Sequence, residues 1–168
     1  MSLREDVVSR AVIKRRIAAP RERVFQAWTS AEHLQRWFFP GTDGDAMPQA
    51  DVDLRVGGRY RITMYAPDGN ITAMVGGTYR EVQPPEKLVF SWAWEAPRPE
   101  ASETLVTVEL HEVQGATEII ITHEHFPEPA AHARHTIGWN CSLERLTQLV
   151  EGASSHRLLV ASGDPCRQ

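Results

Sequence analysis

Apolar and polar residues alternate through most of this chain, and helical spacing appears only near its two ends. Residues 11–17 (AVIKRRI) have strand character, with Val12 and Ile13 opening an apolar side. Pro20 suits a first helical turn, where its missing N–H is not needed; Val24 and Trp28, four residues apart, then share a face. Ser30 is the expected N-cap of a second short helix, with Glu32 in the first turn where the helix dipole favours it. Leu34, Trp37 and Phe38 form that helix's apolar face before Pro40 and Gly41 stop it.

Residues 41–49 carry Gly, Asp and Pro and predict a loop. Strand signals resume at residues 52–54 and, after a Gly57-Gly58 turn, at residues 59–65, where Tyr60, Ile62 and Met64 share one face and Arg59, Arg61 and Thr63 the other. Asp68-Gly69 is a tight-turn signal leading into a return strand over residues 71–82, in which Gly76-Gly77 marks a bulge or a close approach. Beyond the Pro84-Pro85 break, residues 87–94 place Leu88, Phe90, Trp92 and Trp94 on one face. Val106, Val108 and Leu110 do the same over residues 105–112, and Ile119, Ile121, His123 and His125 over residues 117–125. From about residue 130 to 151 the period becomes helical, with His135, Trp139, Leu143, Leu146 and Val150 in one stripe and Gly152 as the stop.

The order is thus strand, two short helices, about six hairpin-connected strands and one long helix. Connections this short exclude parallel crossovers, so the sheet is antiparallel. Such a sheet needs one face covered, and the long helix is the only large amphipathic cover. The predicted class is α+β: a curved antiparallel sheet closed by helices over a roomy apolar interior. One domain is expected over residues 10–152, with 1–9 as a charged lead-in and 153–168 as a flexible tail.

Composition narrows the function classes. A net charge of −4 argues against a nucleic-acid binder, which carries a basic stripe. No apolar run approaches the roughly 20 residues of a spanning helix, so no membrane insertion is expected, and MSLREDVVSR lacks the apolar centre of a signal peptide. Two cysteines do not make a disulfide framework; Cys141 in a helix and Cys166 in a polar tail are expected to stay unpaired, which fits a cytoplasmic protein.

An ordered series of short motifs resembles a known family. It runs through Ala19-Pro20, Val24-Phe25-Gln26-Ala27-Trp28-Thr29, Glu32-His33-Leu34, Arg36-Trp37 and Asp53-Leu54-Arg55-Val56-Gly57-Gly58-Arg59-Tyr60. It continues with Gly77-Thr78-Tyr79-Arg80-Glu81-Val82, Pro84-Pro85-Glu86-Lys87-Leu88-Val89-Phe90-Ser91-Trp92, Thr122-His123 and Gly138-Trp139 with Leu143 and Leu146. The chain resembles the SRPBCC or START-like superfamily, in its Hsp90-ATPase-activator-homologue-like (AHSA1-like) branch, over residues 12–151. The resemblance implies the helix-grip (Bet v 1-like) fold, in which a curved sheet grips the C-terminal helix around a hydrophobic cavity. It implies carriage of a small hydrophobic or aromatic molecule, often with a link to stress response. A cyclase- or hydrolase-like enzyme and a module that contacts a chaperone are the alternatives; a homodimer is left open.

Three sets of residues could carry chemistry. Trp37, Phe38, Phe39, Tyr60, Met64, Met74, Tyr79, Phe90, Trp92, Trp94 and Trp139 would line an aromatic pocket, although such stripes also simply fill cores. His123, His125, His132 and His135 form a cluster in which a metal could sit, but no carboxylate or cysteine pattern accompanies them; no metal and no cofactor is expected. By the resemblance, His123 lends a polar group to the cavity, as a ligand anchor beside a tyrosine or, in the enzyme alternative, as acid or base. Arg59, Arg61, Arg80 and Glu81 lie in strands and Asp51 and Asp53 near a strand start; alternation places most of them on the solvated face, and they are expected to be ordinary surface charge. The chain has no nucleophile elbow or glycine-rich phosphate loop.

Overall fold

In a computed structural model, which describes residues 9–38, 46–95, 97, 99 and 103–152, the chain opens on strand β1 (Arg10–Ile17). This strand buries Ala11, Ile13 and Ile17, leaves Arg15 half-buried and turns Val12, Lys14 and Arg16 outward. Val12 is therefore 52% exposed and does not share the apolar side of Ile13, because neighbours on a strand face opposite ways. The predicted lead-in (except Ser9), tail and Phe39 lie outside the described residues.

Helix α1 (Arg21–Thr29) starts after Pro20 and buries Val24, Phe25, Ala27 and Trp28. Helix α2 (Ala31–Trp37) follows at once, with Ser30 at its N-cap position but making no side-chain cap bond. Six strands then run in sequence: β2 (Ala46–Val52), β3 (Arg59–Tyr65), β4 (Ile71–Gln83), β5 (Lys87–Trp94), β6 (Thr104–Val113) and β7 (Ala116–Glu124). The sheet is ordered β1-β7-β6-β5-β4-β3-β2, and every neighbouring pair is antiparallel.

Two departures from the sequence reading concern local geometry. Part of the predicted loop over residues 41–49 is strand: β2 runs from Ala46 to Val52, so that of residues 52–54, expected to carry the strand, only Val52 belongs to it. It is an edge strand, where Pro48 removes no ladder bond that the sheet needs, and its register breaks between Ala46 and Gln49. At Gly76-Gly77 the reason for glycine is proximity: a Cβ on Gly77 would lie 1.9 Å from the Ser91 carbonyl oxygen, and one on Gly76 2.8 Å from that of Tyr60. The register shift between β4 and β5 comes later, between Tyr79 and Glu81. There the extra residue bends the strand and curves the sheet.

Helix α3 (Pro129–Glu151) lays its stripe of His135, Trp139, Leu143, Leu146 and Val150, with Ala131 and Ser142, into the concave face. Its far end is tied to the first connection of the fold: Glu151 Oε1 accepts from the Ala18 N–H at 2.9 Å, and the Arg23 guanidinium donates to the Val150 carbonyl at 3.2 Å. Cys141, half-buried on α3, is disulfide-bonded, which corrects the expectation of an unpaired thiol. Pairing depends on where the chain runs after Gly152, which residue spacing does not fix; the other cysteine, Cys166, is outside the described residues. Among those residues no helix is long and apolar enough to cross a membrane.

Candidate functional site

Two layers meet at the site. Trp28 on α1, Leu34 on α2 and Phe38 just past it face Tyr60 and Ile62 of β3, Tyr79 of β4 and Phe90 of β5 across a small pocket. The helical layer is held in place by polar bonds. Trp37 Nε1 donates to the Ala27 carbonyl at 2.9 Å, locking α2 to α1, and Gln35 Oε1 accepts from the Ala50 N–H at 3.1 Å, pinning α2 to the edge strand.

Among the described residues the pocket is small. The pocket leaves about 20 Å³ for the centre of a water-sized sphere, enough for one water molecule. Rings occupy the rest. Trp28 meets Trp37 edge-on with centroids 4.7 Å apart and stacks on Trp139 at 5.8 Å. Trp139 lies 5.2 Å from Trp92, and Phe38 bridges Trp37, Trp92 and Trp139 at 5.4, 5.7 and 5.8 Å. Several of the side chains expected to line a cavity thus pack against one another beside the pocket.

Polar groups inside this wall are few. The Tyr60 hydroxyl donates to the Ser91 carbonyl at 2.7 Å. Burial raises the pKa of both Tyr60 and Tyr79, with Tyr79, Glu95 and Glu103 adding to the rise at Tyr60, so both phenols keep their protons. Trp28 is 3% exposed, and its Nε1–H is buried with no hydrogen-bond partner among the described residues. A buried donor left alone costs about 1–3 kcal/mol.

Beside the pocket sit two buried histidines, His123 on β7 and His135 on α3, with ring centroids 5.0 Å apart. An indole can only donate, which fixes both tautomers. Trp139 Nε1 donates to His123 Nδ1 at 3.0 Å, so the His123 proton is on Nε2, facing Thr104 Oγ1 at 2.7 Å; that hydroxyl donates onward to the Trp92 carbonyl. Trp94 Nε1 donates to His135 Nε2 at 2.9 Å, so Nδ1–H of His135 serves the Ala131 carbonyl at 2.7 Å. Both nitrogens of each ring are engaged. With no lone pair left for a reactant, His123 is a structural neutral imidazole in this conformation.

Burial, with the neighbouring His135 adding, pushes the His123 pKa down to about 2. The unfolded chain takes up this proton near the ordinary histidine value of about 6.5, whereas the folded chain does not. Stability is therefore full above that pH and falls by about 1.4 kcal/mol per pH unit below it, towards the folded pKa. Urea melts between pH 7 and 4.5 should show this slope, and His123→Gln should flatten it; identical slopes for the two proteins would refute the assignment.

Of the residues expected at the site, Phe38, Tyr60, Tyr79 and Phe90 line the pocket, whereas Trp37, Trp92, His123 and Trp139 belong to the packed rings beside it. Trp94 and Met64 are half-buried against that core. Met74 alternates with Val75 and Tyr79 and so lies on the opposite face of the sheet, half-buried. Trp28, Leu34 and Ile62 complete the wall; their apolar spacing identified them only as core. His125 does not share the face of His123: it lies beyond β7 with φ 73° and is exposed. His132 donates to the Arg10 carbonyl at 3.1 Å. No three potential metal ligands converge among the described residues.

The charged residues behave as surface. Arg61 pairs with Glu95 at 2.8 Å, Arg80 with Glu103 at 3.2 Å, Lys87 with Glu81 at 3.1 Å and Arg55 with Asp53 at 2.8 Å. Asp51 and Arg59 are exposed on a groove of about 420 Å³ along β2 and β3.

Comparison with known proteins agrees with this architecture. Residues 18–151 match the family described as activator of Hsp90 ATPase homolog 1-like protein. A Chromobacterium violaceum protein of known structure superposes with a TM-score of 0.74 at 26% identity, covering 86% of this chain and 99% of its own. The AHSA1 protein of Silicibacter pomeroyi gives 0.69 at 26% identity, with 83% and 95% covered. An Hsp90 activator from Plasmodium falciparum gives 0.61 at 27% identity, with 81% and 91% covered. No curated protein matches the chain.

Proposed function

Because the chain belongs to the family of activator of Hsp90 ATPase homolog 1-like proteins, we propose that it is a non-catalytic binding protein whose interior takes up one small hydrophobic or aromatic molecule. The observation that carries this is the wall itself: seven apolar or aromatic side chains, drawn from both layers, surround a void they do not fill. A benzene-sized ring needs more than the present space. Entry therefore requires Phe38, just beyond the last turn of α2, to swing outward. The driving force is apolar area removed from water, at about 25 cal/mol per Å². Orientation does not fall to His123, whose ring nitrogens are both engaged.

Phe38→Ala tests the reading. It should cost the empty protein about 3–5 kcal/mol and let benzene, toluene or indole raise the melting temperature more than in wild type, by mass action. No rise in either protein across such a panel would overturn it.

A second reading, contact with the Hsp90 ATPase, is favoured by the likeness to the Plasmodium falciparum activator. It predicts that adding the purified chain raises the chaperone's ATP turnover. Unchanged turnover at saturating chain would remove it.

A further inference from the structure

The pocket has a polar requirement of its own. Among the described residues its wall contains no charged side chain, and Trp28 offers a buried N–H that nothing among them accepts. Tyr60 has committed its proton to the Ser91 carbonyl, whereas the Tyr79 hydroxyl makes no hydrogen bond among the described residues. The site therefore has donors to give and no cation with which to hold an anion.

Resting on the binding reading above, we infer that the molecule taken up carries one neutral hydrogen-bond acceptor, a ketone, ester or ether oxygen on an apolar or aromatic frame, and that Trp28 Nε1–H is the group that reads it. A hydrocarbon of the same shape would leave the indole N–H buried and unserved, so the acceptor is selected by a cost already present in the empty protein. A carboxylate is disfavoured for a different reason: an unpaired charge in an apolar wall loses its hydration without compensation. The same environment keeps both wall tyrosines protonated. A single water molecule is the competing occupant, since the space suffices for one.

Three probes of one size separate these cases: acetophenone, its near-isostere α-methylstyrene, and benzoate. The inference predicts that wild-type protein binds acetophenone about tenfold more tightly than α-methylstyrene, the equivalent of one hydrogen bond, and does not bind benzoate. Trp28→Phe keeps a ring but removes the donor, so the two neutral probes should then bind alike. If that variant does not fold, ¹⁵N-tryptophan spectra of wild type supply the second readout. The Trp28 indole proton should move downfield with acetophenone and stay in place with α-methylstyrene.

Equal affinity for ketone and alkene in wild type, or tightest binding of benzoate, overturns the inference while leaving an apolar pocket standing. Failure of all three probes, together with the benzene, toluene and indole panel, overturns the binding reading and this inference with it.

Discussion

Replacing Trp139 with Ala should cost more stability than any other single truncation in this protein, at least about 4–5 kcal/mol. Removing a buried Trp side chain costs about 3–5 kcal/mol through lost transfer and the cavity left behind. Trp139 is wholly buried at the meeting point of Trp28, Phe38 and Trp92, rings that cannot collapse into the gap without leaving their own partners. The substitution also strands His123 Nδ1, adding about 1–3 kcal/mol for a buried acceptor without a donor. Total stability of a domain is only about 5–15 kcal/mol, so the variant should be largely unfolded under mild conditions. Trp139→Phe separates the two terms: it keeps a ring and loses the donor, at a smaller cost. Urea denaturation followed by circular dichroism measures both. Two variants within about 1 kcal/mol of wild type would show that the ring cluster is not what holds α3.

Gly77→Ala is the second large effect. The added methyl would meet the Ser91 carbonyl at 1.9 Å and its carbon at 2.6 Å, and both are backbone atoms that cannot rotate away. The same stretch of β5 accepts the Tyr60 hydroxyl at the Ser91 carbonyl and the Thr78 N–H at Ser91 Oγ, so parting the strands breaks these bonds as well. A cost above about 3 kcal/mol is expected, at or beyond the upper end for overpacking. Gly69→Ala is the control: it has a φ of 89° but open space around it, and should cost about 1–2 kcal/mol from backbone conformation alone. If the two alanine variants prove equally mild, the close approach of β4 to β5 is not structural.

Periodicity carried most of the architecture because it depends only on which side of an element faces the core. The α3 stripe from His135 to Val150 and the β5 face of Leu88, Phe90 and Trp92 are buried as the spacing predicts. Where that link loosens, so does legibility. β2 is an edge strand that tolerates Pro48, and His125 leaves the alternation through a positive φ that side-chain pattern does not reveal. The site is harder to read than the fold, because a pocket is a small difference between large packed volumes. Aromatic content named several wall residues and could not say that those rings leave only about 20 Å³ between them. The lone Trp28 donor and the fully engaged His123 are likewise products of three-dimensional pairing.

The pairing of β1 with β7, and the tie from Ala18 to Glu151 across 133 positions, bear on how the chain assembles. During synthesis the first strand has no neighbour until residues near Glu124 emerge, and the concave aromatic face has no lid until α3 is made. Contacts this distant in sequence slow folding, because loop closure must precede any gain from them. The nascent chain must therefore keep a row of tryptophans from foreign contacts until α3 arrives.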